Sequence, residues 1–585
     1  MKFKQHTLHL LVCSALAGMA ATATLPAQAA SGTRLSATAQ GNVLKVASGD
    51  TFQIASTTTL SKLVLGEGAK VTAPDGYSVT LTVNGVGLPQ TARTYVGNVV
   101  LTVTQNIDVS YTSSGPGTAP EVLHHVLRTG LYVKDGAIVD AKSVSAIVQG
   151  GTVTNASADG ITIRSQEETF NGVIVEGAST YTLNQPTIHL VGNGGNDFVG
   201  FGAAVKAGGT SNLTVNNARI VTQGAIRTAA FVGDSATLNV NNSRLSASNG
   251  TLPSDYTFTV ATGKLMEVPW VLGLTGNNRA TNLVGSATAN YSNSRIKAQA
   301  WGALSTDDVT SVRLNVTDSQ VDVVDSGYGS YAIGDAVNTF TRTRFKVADM
   351  ALIMANGTAS GTFNQCVVDS GRFGVMMHSN SGGVLTIQDS RITSQAATVQ
   401  VKSSSPTINI RNAQLFAANG LLIQAVVNDD PYMTELGFPA GGSTVVATLS
   451  DSTLSGDIVN GNTASGTVSV TLSNTKLTGA ITEATTTHAT AADGTALSFS
   501  HPELYYLVGE FIHTYASTGM GMSVALSSGS TWVVSQSSYL SSLTVSKDSR
   551  VKAPQGKTLI MTVNGVVTAL KPGKSYSGTI VLSLV

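Results

Sequence analysis

Three groups of residues in this chain have the chemistry to act on or hold another molecule. The first is the pair Asp429-Asp430 within Asn428-Asp429-Asp430-Pro431. Two adjacent carboxylates can coordinate Ca²⁺ or serve as general acid and base; in a Pro-containing loop they also read as turn formers. The second group holds single reactive side chains: Cys366, and His124 with His125. Neither histidine has a metal partner at ligand spacing, and a polar face is the better explanation of the pair. The third is a set of bases recurring at one position of a repeat: Arg219, Arg244, Arg295, Arg344, Arg391 and Lys476. A ridge of such charges can hold an acidic polysaccharide or lipid head groups. The plain alternative is that the Arg stems cover neighbouring apolar surface.

The repeat positions that third group. "LNVNNSRLSA" (Leu238 to Ala247) and "VTLSNTKLTG" (Val470 to Gly479) share one shape, and ten copies have Asn217, Asn242, Asn293, Asp318, Arg342, Gln365, Asp389, Asn412, Asp451 and Asn474 at their fifth position. Most spacings are 23 to 25 residues; one is 51, about two periods, and one is 39, a period plus an insertion. "YTLNQPTI" (Tyr181 to Ile188) and "AIVQGGTV" (Ala146 to Val153) extend the series upstream. A period of this size built from strand-forming residues predicts a solenoid of stacked β-coils.

Positions one, three and eight are apolar, which an uninterrupted strand cannot place on one face. The parity must flip at position five, where Asn and Asp tolerate the left-handed backbone of a sharp bend. Position six then turns inward and is always small. Cys366 occupies that slot, so it reads as filler rather than as a nucleophile. Position seven, where the bases stand, faces outward, and so does position two, which is always Thr or Asn. Stacked about 4.8 Å apart, some fourteen turns would run roughly 65 Å.

A solenoid has open ends that need covering. Pro120 to Thr129 and Pro502 to Tyr515 carry apolar residues at helical spacing and are expected to form capping helices. Outside them lies a duplication: the stretch from Ser48 to Val86 aligns without a gap with Ser528 to Val566, and Tyr95 to Val103 matches Tyr576 to Leu584 one inserted residue later. The expected fold is therefore all-β, a right-handed parallel β-helix with duplicated N- and C-terminal end modules and short capping helices, the hand following from the crossover rule. The expected units are residues 1–29 as signal peptide, 30–118 as N-terminal module, 119–485 as β-helix, and 486–585 as capping helix and second module.

Composition narrows the function. Of 585 residues, 60 are Gly and only 12 % are charged, with a formal net charge of zero, so nothing in the totals points to nucleic acid. Lys2 and Lys4, the apolar Leu8 to Ala23 and Ala27-Gln28-Ala29 read as a cleaved export signal. The mature protein is then expected in the periplasm, outside the cell or on the surface of a bacterium. Cys366 alone remains after processing, which excludes an intrachain disulfide. No later segment is long and apolar enough to span a bilayer as a helix. Gly194-Gly195-Asn196-Asp197-Phe198 is similar to a Ca²⁺-binding nonapeptide, but that motif works in tandem and here stands alone. No metal and no cofactor is expected.

Arg295-Ile296-Lys297 resembles a tripeptide of the polygalacturonase family, where it follows N-T-D, D-D and G-H-G blocks supplying acid and base. Here Asp307-Asp308 comes after it, and neither N-T-D nor G-H-G is present. The coil shape, with "STLSGDIVNG" (Ser452 to Gly461), "TKLTGAITEA" (Thr475 to Ala484) and the C-terminal "SGSTWVVSQSSYLSSLTVSKDSRV", resembles the passenger domains of autotransporter adhesins, pectate-lyase-like solenoids. Such passengers precede a membrane barrel, whereas 34 residues follow Val551 here; the resemblance thus implies export by another route. It also implies an adhesin-like function, binding glycan or other surface material along the long polar face. The alternatives are a β-helix lyase or hydrolase using Asp429 and Asp430, and a purely structural matrix component.

Overall fold

The computed structural model describes residues 37–40, 42–307, 311–379, 382–437 and 440–585, without the side chains of 37–40. The expected signal peptide lies outside them. Coils up to the strand Gln414–Ala417 place one strand in each of three long sheets, and the next two put their second strand, Thr453–Ser455 and Lys476–Thr478, in a separate four-stranded sheet. Positions one to four form strands such as Thr237–Asn241 in an 18-stranded sheet, and positions seven onward form strands such as Arg244–Ser248 in a 17-stranded one. The return forms strands such as Met350–Ala355 in a third sheet of 15. Pairing between coils is parallel and in register: Leu213, Leu238, Ala289 and Leu314 follow one another in the first sheet, Ile220, Leu245, Ile296 and Val321 in the second. The chain is an all-β parallel β-helix.

The corner follows the expected parity. All ten fifth positions have φ between 46° and 56°, left-handed values that most L residues avoid at a penalty of about 1–2 kcal/mol. Their side chains link one coil to the next: Asn293 Nδ2 donates to Asn242 Oδ1 at 2.5 Å, Asn412 to Asp389 at 2.6 Å and Asn474 to Asp451 at 2.9 Å. Where Arg stands at the corner, it forks onto the preceding carboxylate, Arg342 to Asp318 at 2.6 and 2.8 Å.

Position six is small for room and usually a hydroxyl for chemistry. The bend leaves an inward amide and a carbonyl two residues earlier without ladder partners. Ser243 Oγ accepts from the Ala218 amide of the previous coil at 2.9 Å and donates to its own Asn241 carbonyl at 2.7 Å. Ser294, Ser319 and Ser390 repeat the device. Cys366 fills the same slot with Sγ on the Phe340 and Asn364 carbonyls. Burial pushes its thiol up to about 11, so it stays a thiol.

Several expectations fail here. Residues 118–127 form a strand, not a helix, in a hairpin with Ile107–Gly115. An isolated helix of that length is marginal, while the hairpin gives nearly every backbone group a partner. Pro502–Leu507 is a 3₁₀ turn; Gly509 then takes φ +84°, and Phe511–Tyr515 pairs antiparallel with Ala484–His488. The 51-residue spacing is one coil and not two, because Asn242 and Asn293 are adjacent rungs; residues 249–278 are an insertion in its return. Val148–Gln149 and Thr152–Val153 run antiparallel to the first coil instead of adding one.

The hairpin and the described residues of three insertions, 249–278, 427–444 and 489–510, collect over the outer side of the third sheet. Thr262 N bonds Ser114 O at 2.8 Å, Tyr432 Oη bonds Pro116 O at 2.7 Å, and the Trp270 and Phe499 rings stack at 5.8 Å. A second apolar core forms beneath them around Phe198, Leu265, Trp301, Ile353 and Met376. Third-sheet strands are thus buried on both faces and read as continuous apolar runs rather than alternating ones.

Candidate polyanion-binding face

Among the described residues, nothing comparable to those insertions covers the outer side of the second sheet, whose outward side chains are largely exposed. In its seventh column the order of neighbouring rungs is Thr187, Arg219, Arg244, Arg295, Gln320, Arg344, Val367, Arg391 and Gln414. Lys476 follows Thr453 further along and precedes Thr531. All six bases singled out by the repeat are exposed. Arg219, Arg244 and Arg295 sit on consecutive rungs, about 4.8 Å apart. Among the described residues, Arg219, Arg244, Arg344, Arg391 and Lys476 have no ion-pair partner. Arg295 pairs with Asp322 at 2.7 Å while keeping half its side chain in solvent. Lys476 lines an open hollow with Asp451, Asn474 and Thr531.

Position nine adds what the repeat alignment left out. It shares the outward parity of position seven and holds, rung by rung, Arg164, His189, Val221, Ser246, Lys297, Asp322, Lys346 and Asp369. Arg164 and Lys297 are exposed. From Thr162–Ser165 to Arg295–Ala298, five strands present Arg164, Arg219, Arg244, Arg295 and Lys297 without one carboxylate. Beyond them Asp322 and Asp369 interleave with the bases. The alternation of outward positions would have found Arg164 and Lys297, had both outward columns been read.

The Thr/Asn column of the first sheet is also in register, but its amides are engaged with one another. Asn290 donates to Asn239 and Asn315 to Asn290, each at 2.9 Å.

Asp429 and Asp430 are brought to the covered side instead. The Asp429 side chain is only 6 % exposed, its Oδ1 2.6 Å from Lys402 Nζ and its Oδ2 2.9 Å from His488 Nε2 and 2.5 Å from the Gly509 amide. Burial alone would raise this carboxyl; the Lys402 ammonium and the three hydrogen bonds outweigh it and hold the group well below the usual carboxylate range. His488 also bonds the Ala489 carbonyl through Nδ1 at 2.6 Å. With Nε2 on the carboxylate, both ring nitrogens donate, and its pKa is raised although burial opposes this. Asp430 caps the short helix Pro431–Glu435, Oδ1 accepting from the Tyr432 and Met433 amides at 3.0 and 3.3 Å. Burial raises its carboxyl more than those bonds and Lys402 lower it. The two carboxylates thus point to different structural partners, and among the described residues no Ser, Thr or Cys side chain hydrogen-bonds the His488–Asp429 pair.

The remaining candidates are likewise engaged in packing. His124 Nδ1 lies 3.0 Å from Ser110 Oγ; His125 Nε2 lies 3.0 Å from Asn196, its ring 5.0 Å from that of Phe201. Asp197 accepts from Arg279 Nε at 2.6 Å, and Arg279 Nη1 reaches Asp307 at 2.5 Å. The Arg279 guanidinium lies 4.9 Å from the Trp301 ring centroid and 5.2 Å from that of Phe198. Arg295, Ile296 and Lys297 are positions seven to nine of a coil. Among the described residues no three His, Cys, Asp or Glu side chains converge on a point that could hold a metal ion, and no helix is long and apolar enough to cross a membrane.

The sequence matches no known protein-family model. A comparison with curated proteins finds no relative either.

Proposed function

We propose that this protein is an exported, non-enzymatic β-helix, adhesin-like, that binds acidic polysaccharide along its open second sheet. The observation that supports this reading is the run of Arg219, Arg244 and Arg295 on consecutive rungs, flanked by Arg164 and Lys297 with no carboxylate among them. Guanidinium groups match carboxylate and sulfate geometry. A row of them along a rigid axis lets a linear polyanion engage several at once, so weak single contacts multiply. Arg344, Arg391 and Lys476 continue the row at wider intervals.

Incubating purified protein with a panel of acidic and neutral polysaccharides tests this. The expected result is retention of acidic chains at full length, weakened by salt and by Arg244→Ala/Arg295→Ala. Shortened products that disappear in Asp429→Ala/Asp430→Ala would overturn the reading in favour of a lyase or hydrolase.

A further inference from the structure

The bases of the open second sheet keep a beat. From Arg295 onward its seventh column reads, rung by rung, Arg295, Gln320, Arg344, Val367, Arg391 and Gln414. Bases and uncharged side chains alternate there without a break. The ninth column follows suit: Lys297 and Lys346 share the rungs of Arg295 and Arg344, whereas Asp322, Asp369 and Phe416 stand on the rungs between. Upstream, Arg164 lies two rungs before Arg219, and Arg219 two before Arg295. In these two columns, from Arg164 to Arg391, Arg244 is the one Arg or Lys among the described residues that falls out of phase. Lys476 belongs to the separate four-stranded sheet, outside this register.

Charge pairing between neighbouring strands accounts for part of the ninth column, since Asp322 lies buried against Arg295 at 2.7 Å. It does not account for the seventh, where Gln320, Val367 and Gln414 bring no charge to set against the bases. Nor does it account for the exposed apolar side chains of the intervening rungs, Val367 at 47 % and Phe416 at 59 % exposure. An aromatic ring held in water on an otherwise polar face is a flat apolar platform.

Alternate rungs lie about 10 Å apart. An extended chain of equatorially linked pyranoses advances by close to one rung per sugar, and its successive rings turn over, so that substituents of neighbouring sugars point to opposite edges. With an acid on every sugar, such a chain would set every second carboxylate on an intervening rung. The seventh column offers it Gln320 or Val367 there, and the ninth offers Asp322 or Asp369, so that neither edge supplies a base and the exposed Asp369 repels it. With an acid on every second sugar, each acid meets a base. The uncharged rings then fall on the intervening rungs, where Val367 and Phe416 present apolar surface to their C–H faces. Resting on the assignment of this face to acidic polysaccharide, we propose that its ligand alternates one acidic with one uncharged sugar, lies along the solenoid axis, and stacks an uncharged ring on Phe416.

Titration of the purified protein with two sets of fragments of equal sugar number tests this. One is hyaluronan, in which an acidic and an uncharged sugar alternate; the other is polymannuronate, acidic at every sugar. Attraction by charge density alone favours polymannuronate. The expected result is the reverse, with hyaluronan binding about tenfold more tightly at equal salt because all of its acids meet bases at once. Phe416→Ala, at an exposed position, should melt with the wild type and lose about fivefold in hyaluronan affinity, while its polymannuronate affinity holds. Val367→Arg/Gln414→Arg, also at exposed positions, fills intervening rungs with bases and should abolish the preference. Equal or tighter binding of polymannuronate by the wild type would overturn the alternating ligand and leave acidic-polysaccharide binding standing, as would a preference unchanged in Val367→Arg/Gln414→Arg. A Phe416→Ala variant with wild-type hyaluronan affinity would overturn the stacking role. Retention of neither probe would overturn both the alternating ligand and the assignment it rests on.

Discussion

The outer sides of the second and third sheets belong to the same coils but treat charge in opposite ways. The third-sheet side is roofed by a hairpin and three insertions, and it holds its ionic groups dry: Arg279 with Asp197 and Asp307, Lys402 with Asp429. The second-sheet side is bare and holds Arg219, Arg244 and Arg295 in solvent. Asp429 and Asp430, which look catalytic in the sequence, lie on the roofed side, each engaged with structural partners. The groups free to meet another molecule are the repeated bases of the bare side.

Substitutions at the roofed side should break this contrast most visibly. Arg279→Leu leaves Asp197 buried opposite an apolar side chain and is expected to destabilise by about 3–5 kcal/mol in denaturant unfolding; Asp429→Ala, which strands Lys402 at 2 % side-chain exposure, belongs to the same class. Neither should change polysaccharide retention in the fraction that folds. Ser294→Ala removes the acceptor for the Ser243 amide and should lower stability by about 1–3 kcal/mol.

The next effect is the response to acid. His378, its Nε2 sealed from water without a partner among the described residues, is held down to about 3 by burial and the nearby Lys402 charge. His513 is held down to about 4 by burial. For each, the unfolded chain binds a proton near pH 6.5 while the folded one does not, so stability falls as pH drops below 6.5. The loss is at most about 1.4 kcal/mol per pH unit for each group and ends near the folded value. His378→Gln should flatten the acid limb of a pH–stability curve between about pH 6.5 and 3. An unchanged limb would mean that His378 is hydrated in the native protein.

Legibility followed the same division. Where one face of a strand meets water, the alternation exposes the design: the corner residues, the small sixth position and the column of bases could all be read from position and type. The third sheet could not, because burial on both faces erases alternation. The hairpin and the insertions are hard to read for a related reason. Val122, Leu123, Val126 and Leu127 fit a helix locally, and only the partner strand Ile107–Gly115 decides otherwise. The 51-residue spacing resembled two periods because an insertion of about one coil length carries apolar residues of its own, Trp270 and Val271 among them, which pack on the roof and not in the solenoid. Asp429 showed its type but not its partners, since Lys402 and His488 lie 27 and 59 residues away in sequence.

The smallest change in stability should accompany the largest change in binding. Arg219→Ala/Arg244→Ala/Arg295→Ala removes three exposed side chains; Arg219 and Arg244 should each shift stability by no more than about 0.5 kcal/mol, and Arg295, whose loss unpairs the buried Asp322, by more. Measured by titration with an acidic polysaccharide at several salt concentrations, wild-type affinity should fall steeply with salt as bound counterions are exchanged for the bases. The triple variant should bind more weakly at low salt and with a shallower dependence. Equal affinity and equal salt dependence for the two proteins would contradict a binding role for the open face.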